Sequence, residues 1–315
     1  MKLLVIGAAG FVGGHLLEYL EQLPNIEVFA SKLSTERLGN THIPEENVFD
    51  IDILNKEKIE EIIKRIRPEY IIHLAAQSSV SYSWKEPAQT FSINLIGTVN
   101  VLEAIRIAGI KPRILLIGSS EEYGIVGPDE LPIKESRNIN PDNPYAISKA
   151  SQETVAKLYE KIYDIHIIMV RAFNHIGPRQ SPMFVISDFA KQIAEIEKDL
   201  HEPVIRVGNL EVSRDFTDVR DIVKSYWELV RNGKRAEIYN IGSGTGYSLK
   251  SLLYKMISMS NMNIDVMVDP DKFRPADVPE IYADISKIKN HIQWQPQISM
   301  DTSLADILDY WRAKC

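Results

Sequence analysis

Seven residues near the N-terminus, Gly7-Ala8-Ala9-Gly10-Phe11-Val12-Gly13, constrain this chain more than any other feature. They lie between a continuous apolar run, Lys2-Leu3-Leu4-Val5-Ile6-Gly7, and a stretch of helical periodicity from Phe11 to Leu23 that Pro24 stops. A short run without polar alternation reads as a parallel strand buried on both faces. A G-x-x-G-x-x-G turn from such a strand into a helix allows a tight bend and leaves the helix-start N–H groups open to an anion. The spacing alone would also fit a ligand-free turn. The strand–turn–helix setting points instead to the pyrophosphate of a dinucleotide, held by Gly7, Gly10, Phe11, Val12 and Gly13.

Alternation continues through the first half. Strands are expected at Ile26 to Ala30, Tyr70 to Leu74, Arg113 to Gly118 and His166 to Val170, and helices at Lys56 to Arg67, 89–108 and Tyr145 to Tyr163. Strands separated by helices of this length predict an α/β, doubly wound parallel sheet of Rossmann type with right-handed crossovers. After Arg171 the rhythm breaks into shorter pieces, with helices expected at 184–198 and 219–230 and strands at 237–241 and 265–268. This gives a dinucleotide-binding domain over 1–170, to which 215–241 returns, and a smaller interleaved C-terminal α/β lobe from 171–214 and 242–315 that takes the substrate. A second glycine cluster, Gly242-Ser243-Gly244-Thr245-Gly246, reads as a structural turn because it lies far from the first crossover.

Composition narrows the partners. With 36 basic against 43 acidic residues the formal charge is −7, and no basic run offsets it, so a nucleic-acid partner is not expected. Any anionic ligand must be met by a few placed cations. The single cysteine, Cys315, excludes an internal disulfide, a cysteine metal cage and a buried catalytic thiol, and no metal site is read. Early apolar runs are too short for a signal-peptide core, and no stretch reads as a membrane span. A cytoplasmic chain is expected.

Two further groups carry chemistry. The second strand ends Ala30-Ser31-Lys32 with no acidic residue to accept from a free ribose 2′-hydroxyl. Ser31 and Lys32 suit a 2′-phosphate, which favours NADP (NADPH) with NAD as the alternative. Asp52-Ile53 either holds adenine at the sheet edge or opens the following helix. Tyr145 and Lys149, four apart, share one helix face, and an ammonium beside a phenol favours the phenolate. Tyr310 and Lys314 share that spacing but read as a chance pair. Tyr145 differs because it follows a buried strand ending Gly118-Ser119-Ser120, and strand carboxyl ends line the ligand crevice in such sheets.

Together the glycine turn, His73-Leu74-Ala75-Ala76, Asn94-x-x-Gly97-Thr98, Ser119 and the Tyr145/Lys149 pair resemble the extended short-chain dehydrogenase/reductase superfamily, over essentially the whole chain. Within it, several stretches look like nucleotide-sugar oxidoreductases acting on GDP-mannose derivatives. They are Ser119-Ser120-Glu121-Glu122-Tyr123-Gly124, Phe173-Asn174-His175-Ile176-Gly177-Pro178, Val207-Gly208-Asn209-Leu210, Arg214-Asp215-Phe216 and Phe273-Arg274-Pro275. The resemblance implies deoxysugar biosynthesis: NAD(P)H-dependent reduction of the 4-keto group of GDP-4-keto-6-deoxy-D-mannose to GDP-D-rhamnose. It assigns Ser119 to the substrate oxygen, Tyr145 to proton donation, and Lys149 to nicotinamide ribose and tuning of Tyr145. Leu74, Ala75 and Ala76 would line the cofactor. Asn174, Val185, Lys191, Arg214 and Arg274 would surround the sugar nucleotide, where each cation's ordinary alternative is a surface salt bridge. A homodimer through the helices at 89–108 and 145–163 is also implied.

Glu121 is the branch point. Epimerase-reductases of the superfamily carry a cysteine there, which disfavours that activity. GDP-mannose 4,6-dehydratases carry a glutamate that removes the C5 proton, but usually a threonine where this chain has Ser119. Reduction is the favoured reading. Dehydration through Glu121 is the alternative, and a non-catalytic nucleotide sensor on the same fold is a third.

Overall fold

Leu3, Leu4, Val5 and Ile6 are each at most 2% exposed, so the first apolar run is buried on both faces, as its pattern requires. The computed structural model describes residues 1–39, 41–272 and 278–315; Arg274, with Phe273 and Pro275, lies outside them. The strands are β1 (Lys2–Ile6), β2 (Glu27–Lys32), β3 (Val48–Asp50), β4 (Tyr70–His73), β5 (Arg113–Ser119), β6 (His166–Ala172), β7 (Asn174–Ile176), β8 (Val204–Val207), β9 (Ser213–Asp218), β10 (Ile238–Ile241), β11 (Gly246–Ser248), β12 (Asp265–Val268) and β13 (Glu280–Ile281). Seven of them form one sheet in the order β3-β2-β1-β4-β5-β6-β10, every pairing parallel. The winding direction reverses at β1, so a crevice opens at the carboxyl ends of β1 and β4.

The helices are α1 (Phe11–Leu20), α2 (Lys56–Ile66), α3 (Val80–Lys85), α4 (Pro87–Phe91), α5 (Gly97–Ala108), α6 (Pro144–Tyr163), α7 (Val185–Glu197), α8 (Val219–Asn232), α9 (Leu249–Ser258), α10 (Ser286–Ile292) and α11 (Met300–Lys314). Leu16, Leu17 and Leu20 of α1 and Ile222, Val223 and Tyr226 of α8 share a core on one face of the large sheet. The other face is covered by α2, α5 and α6. In α2 the stripe Ile59, Ile62, Ile63 and Ile66 is buried, each side chain contributing roughly 1.5–3 kcal/mol relative to exposure. Asn55 caps its start by accepting from the Lys58 N–H at 2.9 Å, and Arg67 ends it with φ +49° just before Pro68.

The single helix expected over 89–108 is present and runs without a break from Pro87 to Ala108, as α4, a wider π-helical turn at Ser92–Ile96 and α5. The Thr98 hydroxyl donates to the Asn94 carbonyl at 2.7 Å inside this widened stretch. The stretch Pro87–Ala108 is long and apolar enough to cross a membrane by length and composition, which amends the expectation that no segment is. Here Val101, Leu102, Ala104 and Ile105 bury it against the sheet.

The small sheet has β9 at its centre, paired antiparallel with β11 and parallel with β13 and β7. Because β9 belongs to this sheet through Asp218, the chain re-enters the large layer at Val219 with α8, rather than at Asp215. The second glycine cluster is tied to β9. The Asp215 carboxylate accepts from the N–H groups of Ser243 at 2.6 Å and Gly244 at 3.0 Å, so this turn is filled by the protein's own anion.

Candidate active site

Three glycines of the first turn do different work. Gly7 has φ +86°, and a Cβ there would lie 2.6 Å from the Ala75 N. A Cβ on Gly13 would collide with the Ala8 carbonyl, so this glycine lets α1 pack onto the turn. Gly10 is different: its Cβ would meet only the Gly7 O, at 3.5 Å, and the space above it is open. It caps α1 with no side-chain hydrogen bond, and no acidic residue stands in the first turn. The N–H groups at Phe11, Val12 and Gly13 therefore face a space that suits a pyrophosphate. From β4, Leu74 and Ala75 both donate backbone N–H bonds to the Ile6 O, at 2.8 and 2.9 Å, which brings half-buried Leu74, Ala75 and Ala76 alongside the turn.

At the end of β2 the structure corrects one assignment. Ser31 is 1% exposed, and its hydroxyl accepts from the Gly7 N–H at 3.2 Å. It props up the glycine turn and is sealed from a 2′-phosphate. Lys32 is ion-paired with Asp50 at the sheet edge. Asp52 is exposed, and its carboxylate accepts from the Leu54 N–H at 2.9 Å as a turn former. Ile53 is buried, its carbonyl accepting from the Asn100 amide at 3.0 Å.

The catalytic candidates converge where β5 ends. Asn143 caps α6 by accepting from the Ala146 N–H at 2.8 Å, with Pro144 at the first helical position. The Tyr145 N–H donates to the Ser83 hydroxyl at 3.2 Å. The Ser119 hydroxyl accepts from the Glu121 N–H at 3.2 Å. Burial holds the nearby Tyr145 phenol above its ordinary range; Ser119 pulls it the other way, and Glu121 and Glu122 add to the rise. The direction is thus upward, not the lowering expected from the four-residue spacing. One turn on, Lys149 is 4% exposed and donates to the Ile117 O at 2.7 Å and the Gln152 Oε1 at 3.1 Å. Two of its three donors are used. Burial draws it down to about 8, against the opposing pull of Glu122. Glu121 is half-buried, with Oε2 accepting from the Asn143 amide at 3.0 Å. The second Tyr/Lys match is a cation–π pair on α11, 5.8 Å from nitrogen to ring centre.

Strand register connects this edge to the small sheet. Ser119 lies opposite Ala172 on β6, and two residues later the chain is Asn174 on β7, exposed and opposite Phe216 of β9. Arg214 stands two residues before Phe216 on β9, with Nη1 donating to the Val278 O at 2.6 Å. Asn174 and Arg214 therefore stand on paired strands of the small sheet, beyond the end of β6. Val185 begins α7 and packs on the lobe's core. Lys191, farther along α7, is engaged by Glu195 at 3.4 Å.

Several positioning groups escaped the sequence reading. Asn143-Pro144 before Tyr145 is a legible helix start, and Ser119-x-x-Glu122 is a capping-box pattern. Others had no local signal. Phe11 stacks on His175 with centroids 6.1 Å apart, His15 donates to the Pro178 O at 2.9 Å, and Arg179 grips Glu18, tying the segment after β7 to α1. Buried His73, held by Thr98 at 3.1 Å and lowered to about 3 by burial and then Lys149, is a neutral imidazole behind the site.

Comparison with known proteins gives the family and the fold. The model of a family described as GDP-mannose 4,6 dehydratase matches residues 4–307. A GDP-6-deoxy-D-mannose reductase from Pseudomonas aeruginosa is 32% identical over 99% of this chain and 98% of its own length. A GDP-mannose 4,6-dehydratase from Vibrio cholerae is 26% identical over 98% of this chain and 92% of its own. Among solved structures, RMD from Pseudomonas aeruginosa complexed with NADPH superposes with a TM-score of 0.89 at 30% identity, covering 100% of this chain and 99% of that one. The Thermus thermophilus UDP-glucose 4-epimerase complex with NAD gives 0.88 at 27% identity, covering 100% of both chains. With the glycine turn, the Ser119/Tyr145/Lys149 cluster and a family match that runs almost end to end, this chain belongs to the GDP-mannose 4,6 dehydratase family of extended short-chain dehydrogenase/reductase enzymes.

Proposed function

We propose that this protein is an NADPH-dependent reductase that converts GDP-4-keto-6-deoxy-D-mannose to GDP-D-rhamnose. The observation that carries this reading is the convergence of Ser119, Tyr145 and Lys149 at the carboxyl edge of the sheet, where burial holds the phenol protonated. A protonated donor is what a ketone becoming an alkoxide needs. The glycine turn fits a dinucleotide, whose chemistry when bound is hydride donation to the carbonyl carbon. Ser119 and Tyr145 hold the 4-oxygen, and Tyr145 passes its proton to it. Lys149, with one donor free, holds a ribose hydroxyl and favours return of the proton. Asn174 and Arg214 hold the diphosphate, and Val185, Lys191 and Arg274 complete the sugar-nucleotide pocket. Lys32, freed from Asp50, meets a 2′-phosphate; NAD is the weaker cofactor.

Glu121 supports a second reading, dehydration, because a carboxylate fixed by Asn143 beside Tyr145 is a competent C5 base. Two assays separate the readings. Loss of NADPH absorbance with the GDP-4-keto sugar is expected for the reductase. A 4-keto product from GDP-mannose and NADP, without net cofactor change, would replace that reading with the dehydratase. Binding of sugar nucleotide with neither reaction would mark a sensor.

We also assign a cytoplasmic homodimer, with no membrane or nucleic-acid partner. Ile147, Leu158 and Ile162 are 41%, 56% and 58% exposed at spacings that place them on one face of α6, and Ile107 of the neighbouring α5 is exposed too. A Leu158→Glu/Ile162→Glu double variant should run as a monomer in sedimentation; a wild-type monomer would overturn the assignment.

A further inference from the structure

Behind the catalytic edge sits a carboxylate that the proposed chemistry does not use. Glu122 is fully buried, and its Oε1 accepts from the Ser119 N–H at 2.7 Å. Its Oε2 has no hydrogen-bond partner. The nearest cation, Arg171 Nε, is 3.8 Å from that oxygen. Arg171 offsets it only in part, because its Nε and Nη2 donate to Glu153 at 3.0 and 2.9 Å. Room for the carboxylate depends on its neighbour: a Cβ on Gly118 would collide with the Glu122 Oε1. A buried carboxylate with one oxygen unpartnered costs several kcal/mol of desolvation, which an apolar side chain in the same space would avoid.

We infer that Glu122 is a positioning residue of this active site, fixing Ser119 through its backbone and holding Lys149 and Tyr145 in their protonated forms through its charge. This rests on the reductase reading and deepens it. Lys149, Tyr145 and Glu153 face Glu122 from α6, and Arg171 faces it from β6. Glu121 and Tyr123 flank it on its own turn. Neutral His73 of β4 lies within electrostatic reach of Lys149. Within this group the Glu122 charge opposes loss of the proton by both Lys149 and Tyr145. Those are the forms that must be present when a carbonyl oxygen takes up a proton. Burial in turn raises the Glu122 carboxyl well above the usual carboxylate range, with Glu153 adding to the rise. With that carboxyl at about 8, its charge develops on the alkaline limb itself, where it opposes loss of the Lys149 and Tyr145 protons.

Two substitutions separate charge from hydrogen bond. Glu122→Gln keeps an acceptor for the Ser119 N–H and removes the charge. The alkaline limb of kcat in NADPH-dependent reduction should move to lower pH by about one unit, with KM unchanged. Glu122→Asp keeps the charge but is one methylene short of the Ser119 N–H. It should lower kcat about tenfold and leave the limb in place. A folded Glu122→Gln enzyme with the wild-type limb overturns the role of the charge. Full turnover in Glu122→Asp overturns the positioning of Ser119, and that variant decides alone if Glu122→Gln does not fold. A wild-type enzyme that fails to oxidise NADPH overturns the reductase reading instead, which the wild-type control distinguishes.

Discussion

Lys149 donates to the Ile117 carbonyl at 2.7 Å, two residues before Ser119 on the same strand, so the ammonium is anchored to the strand that carries this serine. Anchoring it there buries it, and burial lowers it to about 8. Reduction should therefore show an alkaline limb in kcat near pH 8, which Lys149→Met should abolish while lowering turnover at least a hundredfold. The stability sign is opposite to that of a salt-bridged lysine. Below about 8 the ammonium is buried at a cost of about 3 kcal/mol relative to its ordinary value. From about 8 to about 10.4 the unfolded chain binds the extra proton, so this group's contribution to stability rises with pH. Denaturant midpoints for wild type and Lys149→Met across that window check it: the wild type should gain on the variant as pH rises.

Tyr145 is held by the chain through its backbone: Asn143 caps its helix and Ser83 takes its N–H, while Ser119 acts on its hydroxyl. Removing one oxygen leaves that frame standing. Tyr145→Phe should bind NADPH within about twofold of wild type, melt within a few degrees, and turn over 10²- to 10⁴-fold more slowly. Isothermal titration and stopped-flow reduction measure both halves, and near-normal turnover would remove Tyr145 from the reaction.

Gly10 and Gly13 look equivalent in sequence and should behave oppositely. An added methyl at Gly13 collides with the Ala8 carbonyl, so Gly13→Ala must push α1 off the turn. It should lose about 2–4 kcal/mol of stability. At Gly10 the nearest atom is 3.5 Å away, an ordinary contact, so Gly10→Ala should fold as wild type. Its methyl instead fills the space beside the α1 N-terminus and should weaken NADPH at least tenfold. Denaturant midpoints and cofactor titrations on the two variants should be mirror images.

That contrast shows what a sequence can and cannot reveal here. Leu3 to Ile6, Ile71-Ile72 and Ile114 to Leu116 announce buried parallel strands because both faces must be apolar, and the large sheet follows from them. Tyr145 and Lys149 are legible as a pair because helical spacing alone puts them on one face. Their protonation is not, because it depends on burial and on carboxylates brought in from another element. Ser31 misleads for a related reason: strand alternation can turn a polar residue inward, where the Gly7 N–H rewards its hydroxyl. The wide turn at 92–96 is likewise set by distant partners, Asn94 bonding Ser148 at 2.9 Å and the Gln77 O at 3.0 Å.

Glu121 offers the sharpest separation of the two chemistries. Its Oε2 accepts from the Asn143 amide at 3.0 Å, and its charge is felt by the Tyr145 phenol, so it stands beside the proton donor without being bonded to it. In reduction the only proton delivered to substrate comes from Tyr145, and Glu121 merely helps to keep that phenol protonated. Glu121→Gln preserves the acceptor for Asn143 and removes the base. Reduction of the GDP-4-keto sugar should then stay within about fivefold of wild type at pH 7, because the phenol is already held high by burial. Dehydration of GDP-mannose would instead lose at least 10²-fold, since Glu122, the other carboxylate felt by Tyr145, is fully buried. If Glu121→Gln abolishes NADPH oxidation while leaving cofactor affinity and melting intact, Glu121 handles a substrate proton and the mechanism proposed for Tyr145 is incomplete.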